Sequence, residues 1–454
     1  MRKSLYIVIV ATFLFGCKKD KWFDAKQTLV QTVPSTVKDF QAMMDNTTMG
    51  WNAPYLPEIA SDDHYVTDAI FTTLPTNEKN AYTWSHDVPY TSLIDWSGPY
   101  VGDGTYARVF YANLVLDGLK TAVGAGSPDF NNVKGQALFF RAFNYYNILQ
   151  EFAPVYDSAK AATDLGIPLR LESDVNVSVQ RASVKDSYTR VITDLNDAIP
   201  LLPVTPDYKT RPSRPAAYAL LARLYLSVSD YADSKKYADS ALALYTSLLD
   251  FNTLNLTATY PIANYNADII FQNTLNVGGG VLSYNAKIDT ALYNRYDSND
   301  LRRTVFFTLA TDKSVNIRNS NYYNTPFGGL TIEELLIVRA ECLARQGQTA
   351  AAMADLNRLL RARYKTGTYT DQTALTADAA LTVVLLERRK ELVMRGLRWS
   401  DLRRFAREGR FAKTLTRTVA GKTYTLEPGS FKYTFPIPDD AIKLAPQFQQ
   451  NPGY

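Results

Sequence analysis

Two stretches of this chain follow one plan, and that plan restricts the fold more than any other feature. From Ala216 to Leu244 small residues alternate with large ones, first through Ala216-Ala217-Tyr218-Ala219-Leu220-Leu221-Ala222 and then, after a turn at Ser229-Asp230-Tyr231, from Ala232 onward. From Glu333 to Arg361 the plan recurs, with Ala340, Leu343 and Ala344 before Gln346-Gly347-Gln348 and Ala350, Ala354 and Leu359 after it. Apolar residues at three- and four-residue steps mark helices. A turn of three residues between two helices leaves them side by side and antiparallel, and alanine at the facing positions lets their axes approach closely.

Such pairing resembles tetratricopeptide-type packing, although the strict repeat is incomplete. Similar periodicity predicts helices over Tyr106–Val123, Asn132–Phe152, Ser183–Ile199, Arg214–Val228, Tyr231–Tyr245, Thr331–Gln346, Thr349–Tyr364 and Asp378–Arg395, with a short one over Val37–Met44. The expected class is mostly α, with tetratricopeptide-like pairs over 106–245 and 331–408, long decorated loops and little β. Residues 50–105, broken by Pro54, Pro57, Pro75, Pro89 and Pro99, show no sustained helical period and read as a loop-rich part of one body spanning 36–454. In the tail, 409–454, a hairpin is expected at Val419–Thr425 around Ala420-Gly421-Lys422.

The first residues bear on compartment. Arg2 and Lys3 precede an apolar run from Leu5 to Phe15 that closes with Gly16-Cys17. A membrane-spanning helix needs roughly 20 apolar residues, so this shorter run reads as a removable signal peptide over 1–16. Cys17 then looks like the acylated cysteine of a bacterial lipoprotein, with 17–35 as lipid anchor and tether. The chain has two cysteines, so Cys342 would have no disulfide partner and reads as a buried thiol. A net charge of +4 gives no reason to expect a nucleic-acid partner.

Catalytic signatures are sparse. His64 and His86 are the only histidines, and no zinc, phosphate-loop or nucleophile-elbow motif occurs, so neither metal nor cofactor is expected. Asp62-Asp63-His64 is the one cluster able to suggest acid-base work, cation binding or hydrogen bonds to a ligand, and loop structure ranks ahead of all three. Flat aromatic faces and planar polar groups make shallow ligand sites, and Trp51, Asn52, Tyr55, Asp63, Tyr65, Trp84, Trp96 and Tyr100 supply both, with a second group at Asn321-Tyr322-Tyr323-Asn324. The expected ligand-binding residues are Trp51, Tyr55, Trp96, Tyr322 and Tyr323 for stacking and Asp63 as a polar contact.

Four segments resemble the SusD/RagB family, in the family's order. They are the helix Gln136 to Leu149, the pair around Arg339-Ala340-Glu341, the run from Glu387 to Arg404, and the closing Pro436-Ile437-Pro438 with Gln450 to Tyr454. Glu387-Arg388-Arg389-Lys390-Glu391-Leu392 with Gly396-Leu397-Arg398-Trp399 and Asp401-Leu402 is the most specific of these; Glu151-Phe152-Ala153-Pro154-Val155 departs slightly from the family pattern. Lys18-Lys19-Asp20 resembles a surface-display tag of some lipoproteins. The resemblance implies a non-catalytic, lipid-anchored nutrient-binding protein at the outer-membrane surface. It would pass an oligosaccharide to a SusC-like TonB-dependent transporter. Peptide or other nutrient binding in the same complex, and a surface glycan hydrolase, are the alternatives. The Glu387 run itself reads as a buried ion network belonging to the fold, with Glu391 and Arg395 expected to pair four residues apart on a helix.

Overall fold

The computed structural model describes residues 33–86, 90–91, 93, 95–97, 104–276, 280–318 and 326–454. The expected signal peptide and Cys17 lie outside them. Chain entry is fixed at α1 (Val37–Met44), where Thr36 and Asp39 cap each other reciprocally. Phe40 of α1 lies where a Cβ on Gly118 would come within 2.3 Å of its ring, so glycine there admits the docking of α1.

The 50–105 stretch folds into more helix than its sequence suggested. α2 (Leu56–Ala60), α3 (Asp68–Thr73) and α4 (Thr76–Thr83) form there. Each is eight residues or fewer, too short for an amphipathic period to show. The main array follows with α5 (Thr105–Leu119), the 25-residue α6 (Pro128–Phe152), α7 (Val184–Ala198), α8 (Arg214–Ser227) and α9 (Tyr231–Leu244). Ser127, Ser183 and Ser213 cap α6, α7 and α8 through their hydroxyls. The second group is α10 (Ile332–Arg345), α11 (Thr349–Arg361), α12 (Ala377–Glu391) and α13 (Arg398–Phe405).

The small-residue plan acts as expected. Ala216, Ala217, Ala219 and Ala222 of α8 and Ala238 and Ala241 of α9 are buried where the two helices pack. α10 is buried on nearly every side, by α9, α11 and α12, and holds Cys342 in the interior. Gly347, at φ +76°, turns α10 into α11.

Strands are short. β1 (His64–Tyr65), β2 (Lys287–Ile288), β3 (Phe307–Leu309) and β4 (Val315–Ile317) form a sheet in the order β1-β2-β4-β3. The expected hairpin is present and longer than its turn signal, with β5 (Leu415–Val419) paired to β6 (Lys422–Leu426). Ala420 and Gly421 both have positive φ, +50° and +72°, as a primed two-residue turn requires. Among the described residues no helix is long and apolar enough to cross a membrane.

The Glu387 run is an ion network, and it differs from expectation in one respect. α12 ends at Glu391, not Arg395, because Met394 and Gly396 adopt positive φ, +58° and +73°, and turn the chain away from the helix axis. Arg395 therefore pairs with Glu333 at 3.0 Å, while Glu391 faces Arg302 at 2.9 Å and Arg363 at 2.7 Å. Arg302, fully buried, also reaches Asp300 and Glu387, and Lys390 joins the same two carboxylates. Arg388 and Arg404 converge on Asp401. Burial raises the Glu391 and Asp300 carboxyls, but their guanidinium partners outweigh it and hold both below the usual range.

Candidate functional site

A groove of about 540 Å³ opens between β1, the end of α4 and the β5–β6 hairpin, built on the Asp62-Asp63-His64 stretch. Alternation along β5 supplies one wall, because Leu415, Arg417 and Val419 point inward and Thr416 and Thr418 outward. Lys413 and Thr414 extend that wall, and Asp289 and Tyr65 stand opposite. Tyr65 is 39 % exposed and is the one aromatic ring here with a broad free surface.

Trp84 and Tyr82 contribute to the groove from below but are buried. Trp84 leaves α4 in the left-handed region, at φ +53°, and its indole N–H donates to the Ala60 carbonyl at 3.0 Å. The Arg417 guanidinium lies 4.0 Å from the Tyr82 ring centroid and 4.8 Å from that of Trp84, and it donates to the carbonyls of Ile59, Tyr82 and Ser61. The hairpin is thereby pinned to α2 and α4.

The two carboxylates have separate tasks. Asp62 accepts from Arg398 at 2.6 Å and Lys413 at 2.8 Å, with Arg389 at 3.4 Å. Burial raises its carboxyl, yet Arg398, Arg389 and Lys413 together hold it well below the ordinary range. Asp63 is 1 % exposed, accepts from Arg389 at 2.8 Å, and is raised because burial outweighs that pairing. Between the groove and this network sits His64. Neither of its ring nitrogens has a partner among the described residues, and burial, with Arg417 nearby, pushes it down to about 3, so the imidazole is neutral. A neutral imidazole presents one donor and one acceptor.

The structure redistributes the expected site residues. Trp96 is 4 % exposed and packs against Tyr106 at 4.8 Å, Phe152 at 5.0 Å and Phe448, so it is core and cannot stack on a ligand. Tyr55 is also buried, with its amide and that of Leu56 donating to Asp95. Asp63 is sealed behind Arg389, and its neighbours Asp62, His64 and Tyr65 line the groove instead. Trp51 lies in a short strand, Trp51–Ala53, paired with Thr274–Leu275, and its side chain is outside the described residues, as are Tyr322 and Tyr323. The hairpin wall was missed, although the period-two run Leu415 to Val419 could have shown which threonines face outward.

Fold and groove together define a class, that of a helical-pair scaffold whose loops and one hairpin present a polar, hydroxyl-lined concavity. The comparisons with known proteins give the family. Residues 21–226 match a SusD-like family model described as starch-binding associating with outer membrane, and residues 311–454 match the model of the SusD family. This chain belongs to the SusD family. SusD-like protein P2 of Formosa agariphila is 23% identical over 446 residues, covering 83% of each chain. A SusD superfamily protein of Bacteroides vulgatus superposes with a TM-score of 0.74 at 20% identity over 93% of this chain and all of its own. A SusD-like carbohydrate binding protein of the same organism does so with a TM-score of 0.68 at 18% identity, over 91% of this chain and 98% of its own. At these identities the two structures establish the shared fold.

Proposed function

We propose that this protein captures an oligosaccharide in the groove beside Tyr65, at the cell surface, and delivers it to a SusC-like TonB-dependent outer-membrane transporter. Acylation of Cys17 would hold it at the membrane, since two or more acyl chains make anchoring stable. The observation that carries the ligand assignment is the pairing of an exposed tyrosine face with two unpartnered, buried nitrogens of a neutral His64 along one groove. A sugar ring offers what that surface lacks, an apolar face for the tyrosine and hydroxyls that both donate and accept. The outward hydroxyls of Thr416 and Thr418 extend the same chemistry.

The groove is poorly equipped for hydrolysis. A glycosidase needs one carboxylic acid able to give up a proton and a second carboxylate across the bond. Asp62 is held ionised, Asp63 is sealed behind a guanidinium, and His64 is neutral near neutral pH and so is no general acid.

Isothermal titration against neutral oligosaccharides and peptides, with product analysis of each mixture, tests this reading. The expected result is oligosaccharide binding without cleavage, weakened about fivefold or more by Tyr65→Ala through loss of the stacking face. Cleavage of any oligosaccharide, or an unaltered affinity in the variant, overturns it.

A further inference from the structure

A second cavity lies across α12 from the groove. Arg389, which reaches Asp62 and Asp63, and Glu391, which lines this cavity, are about 200° apart around the helix. The cavity has a volume of about 90 Å³. Its walls are mainly apolar, with Phe251, Phe306, Phe327 and Ile269 prominent, and its polar end is made by Asp268, Glu333, Arg363 and Arg395.

Most of the charge at that end is spoken for. Arg363 donates to Asp268, Glu391 and the Leu249 carbonyl with all three of its nitrogens. Arg395 donates through Nη1 to Oε1 of Glu333 and through Nη2 to the Thr331 hydroxyl. Arg318, half-exposed, donates to the carbonyls of Leu256 and Thr304. Two groups are left without partners among the described residues, Oε2 of Glu333 and Nε of Arg395. Glu333 is 4 % exposed. Buried polar groups are almost always satisfied, so an acceptor and a donor left over at the end of one apolar-walled cavity point to something that fills it.

Three constraints describe the occupant. It must donate to one atom and accept from the other. It should be uncharged, since an added ion would be buried with no counter-ion, at a cost of several kcal/mol. Its size follows from the ~150 Å³ cavity that takes benzene, about 25 Å³ per heavy atom, which gives about four heavy atoms here. An acetamido group has an N–H, a carbonyl oxygen and a methyl group on four heavy atoms and no charge.

We propose that this cavity is a subsite for the acetamido group of an N-acetylhexosamine, with its N–H donating to Oε2 of Glu333, its carbonyl accepting from Nε of Arg395 and its methyl against the phenylalanine rings. The choice of a sugar as the bearer of that group rests on the glycan-binding reading above; an N-acetylated peptide end carries the same chemistry. Burial and Asp268 lift the Glu333 carboxyl to about 8 against the pull of Arg395 and Arg363, and Glu391 adds to the rise. Tyr245 also lies within its electrostatic reach. The ligand N–H bonds best to the ionised carboxylate, so affinity increases from about pH 6.5 to about pH 8.5.

The test is titration and saturation-transfer NMR of the full chain with N-acetylglucosamine, glucosamine, glucose, glucuronate and N-acetylalanine amide, with circular dichroism to verify each variant's fold. N-acetylglucosamine is expected to bind with strongest saturation on its acetyl methyl, and to weaken about tenfold both in Glu333→Gln, which removes the carboxylate acceptor, and in Ile262→Trp, which fills the cavity from a partly exposed wall position. Glu333→Gln should also abolish the rise in affinity with pH. Ile262→Trp should leave the titration of neutral oligosaccharides in the groove unchanged. Equal or tighter binding of glucosamine, glucuronate or N-acetylalanine amide overturns the proposal, as does an N-acetylglucosamine affinity untouched by both variants. Neutral glycans binding while N-acetylglucosamine does not would sink this subsite and leave the groove intact; the reverse would sink the groove reading.

Discussion

Replacing Arg302 with methionine removes the hub of the buried network while keeping an unbranched side chain in its space. Arg302 makes four hydrogen bonds, through Nε and Nη2 to Asp300 at 2.9 and 2.7 Å, through Nη2 to Glu387 at 2.6 Å, and through Nη1 to Glu391 at 2.9 Å. Without it, Lys390 must serve Asp300 and Glu387 alone, and Arg363 must serve Glu391 and Asp268. The four lost bonds do not add, because the arginine's own desolvation is relieved; breaking one side of a buried pair costs about 3–5 kcal/mol. Unfolding entropy of ~2.1 cal/mol/K per residue over 454 residues is about 1 kcal/mol/K, so the midpoint should fall by about 3–5 °C. Thermal and urea unfolding followed by circular dichroism measure this. Adding Glu387→Gln to Arg302→Met should cost at least about 1 kcal/mol less than the two changes separately, because the second neutralises a charge that the first left stranded. Strict additivity, or an Arg302→Met midpoint within about 1 °C of the parent, would refute the account of these residues as one network.

Three further expectations follow from single positions. Gly396→Ala places a Cβ 2.9 Å from a methyl carbon of Leu275 at φ +73°, and should destabilise by about 1–2 kcal/mol in urea unfolding; the isolated Gly347→Ala, with positive φ but open space, should cost less. Glu58 is pushed up to about 8, by burial and then by Asp63, so its contribution to stability is complete below its unfolded value of about 4.5 and is lost as pH rises through about 8. Glu58→Gln should accordingly flatten the fall in melting temperature between about pH 5 and pH 9, and an unchanged pH profile would contradict this. Burial raises the Cys342 thiol to about 12, so Cys342 in the native protein should resist a thiol reagent at neutral pH and react only at the unfolding rate.

Much of the scaffold was legible in the sequence because it is built from local signals. Alanine spacing and the Ala420-Gly421 turn each act within a few residues, and the helical pairs and the hairpin stand where those signals put them. The end of α12 was not legible, since Arg395 leaves the helix to meet Glu333, 62 residues earlier. The site was harder still. Aromatic residues in a loop-rich stretch say that rings are present and not which way they face, and Trp96 and Trp84 went into the core while Tyr65 stayed out.

The most diagnostic run of the chain and the groove nevertheless meet. Arg389 and Arg398, both from that run, clamp Asp62 and Asp63, whose chain continues directly into His64 and Tyr65. Those two arginines line no wall of the groove but set where its facing residues begin. A change at Arg398 should therefore alter binding through the position of β1, whereas a change at Tyr65 should alter binding alone. That division explains why the motif announces a family and is silent about its sugar: the clamp requires charges at fixed spacing, while the groove requires only that some ring and some hydroxyls follow it. Arg398→Met should lower both the melting temperature and the affinity for neutral oligosaccharides, and Tyr65→Ala the affinity only; an Arg398→Met protein that binds normally but melts early would show that the groove is held by the hairpin and not by the clamp.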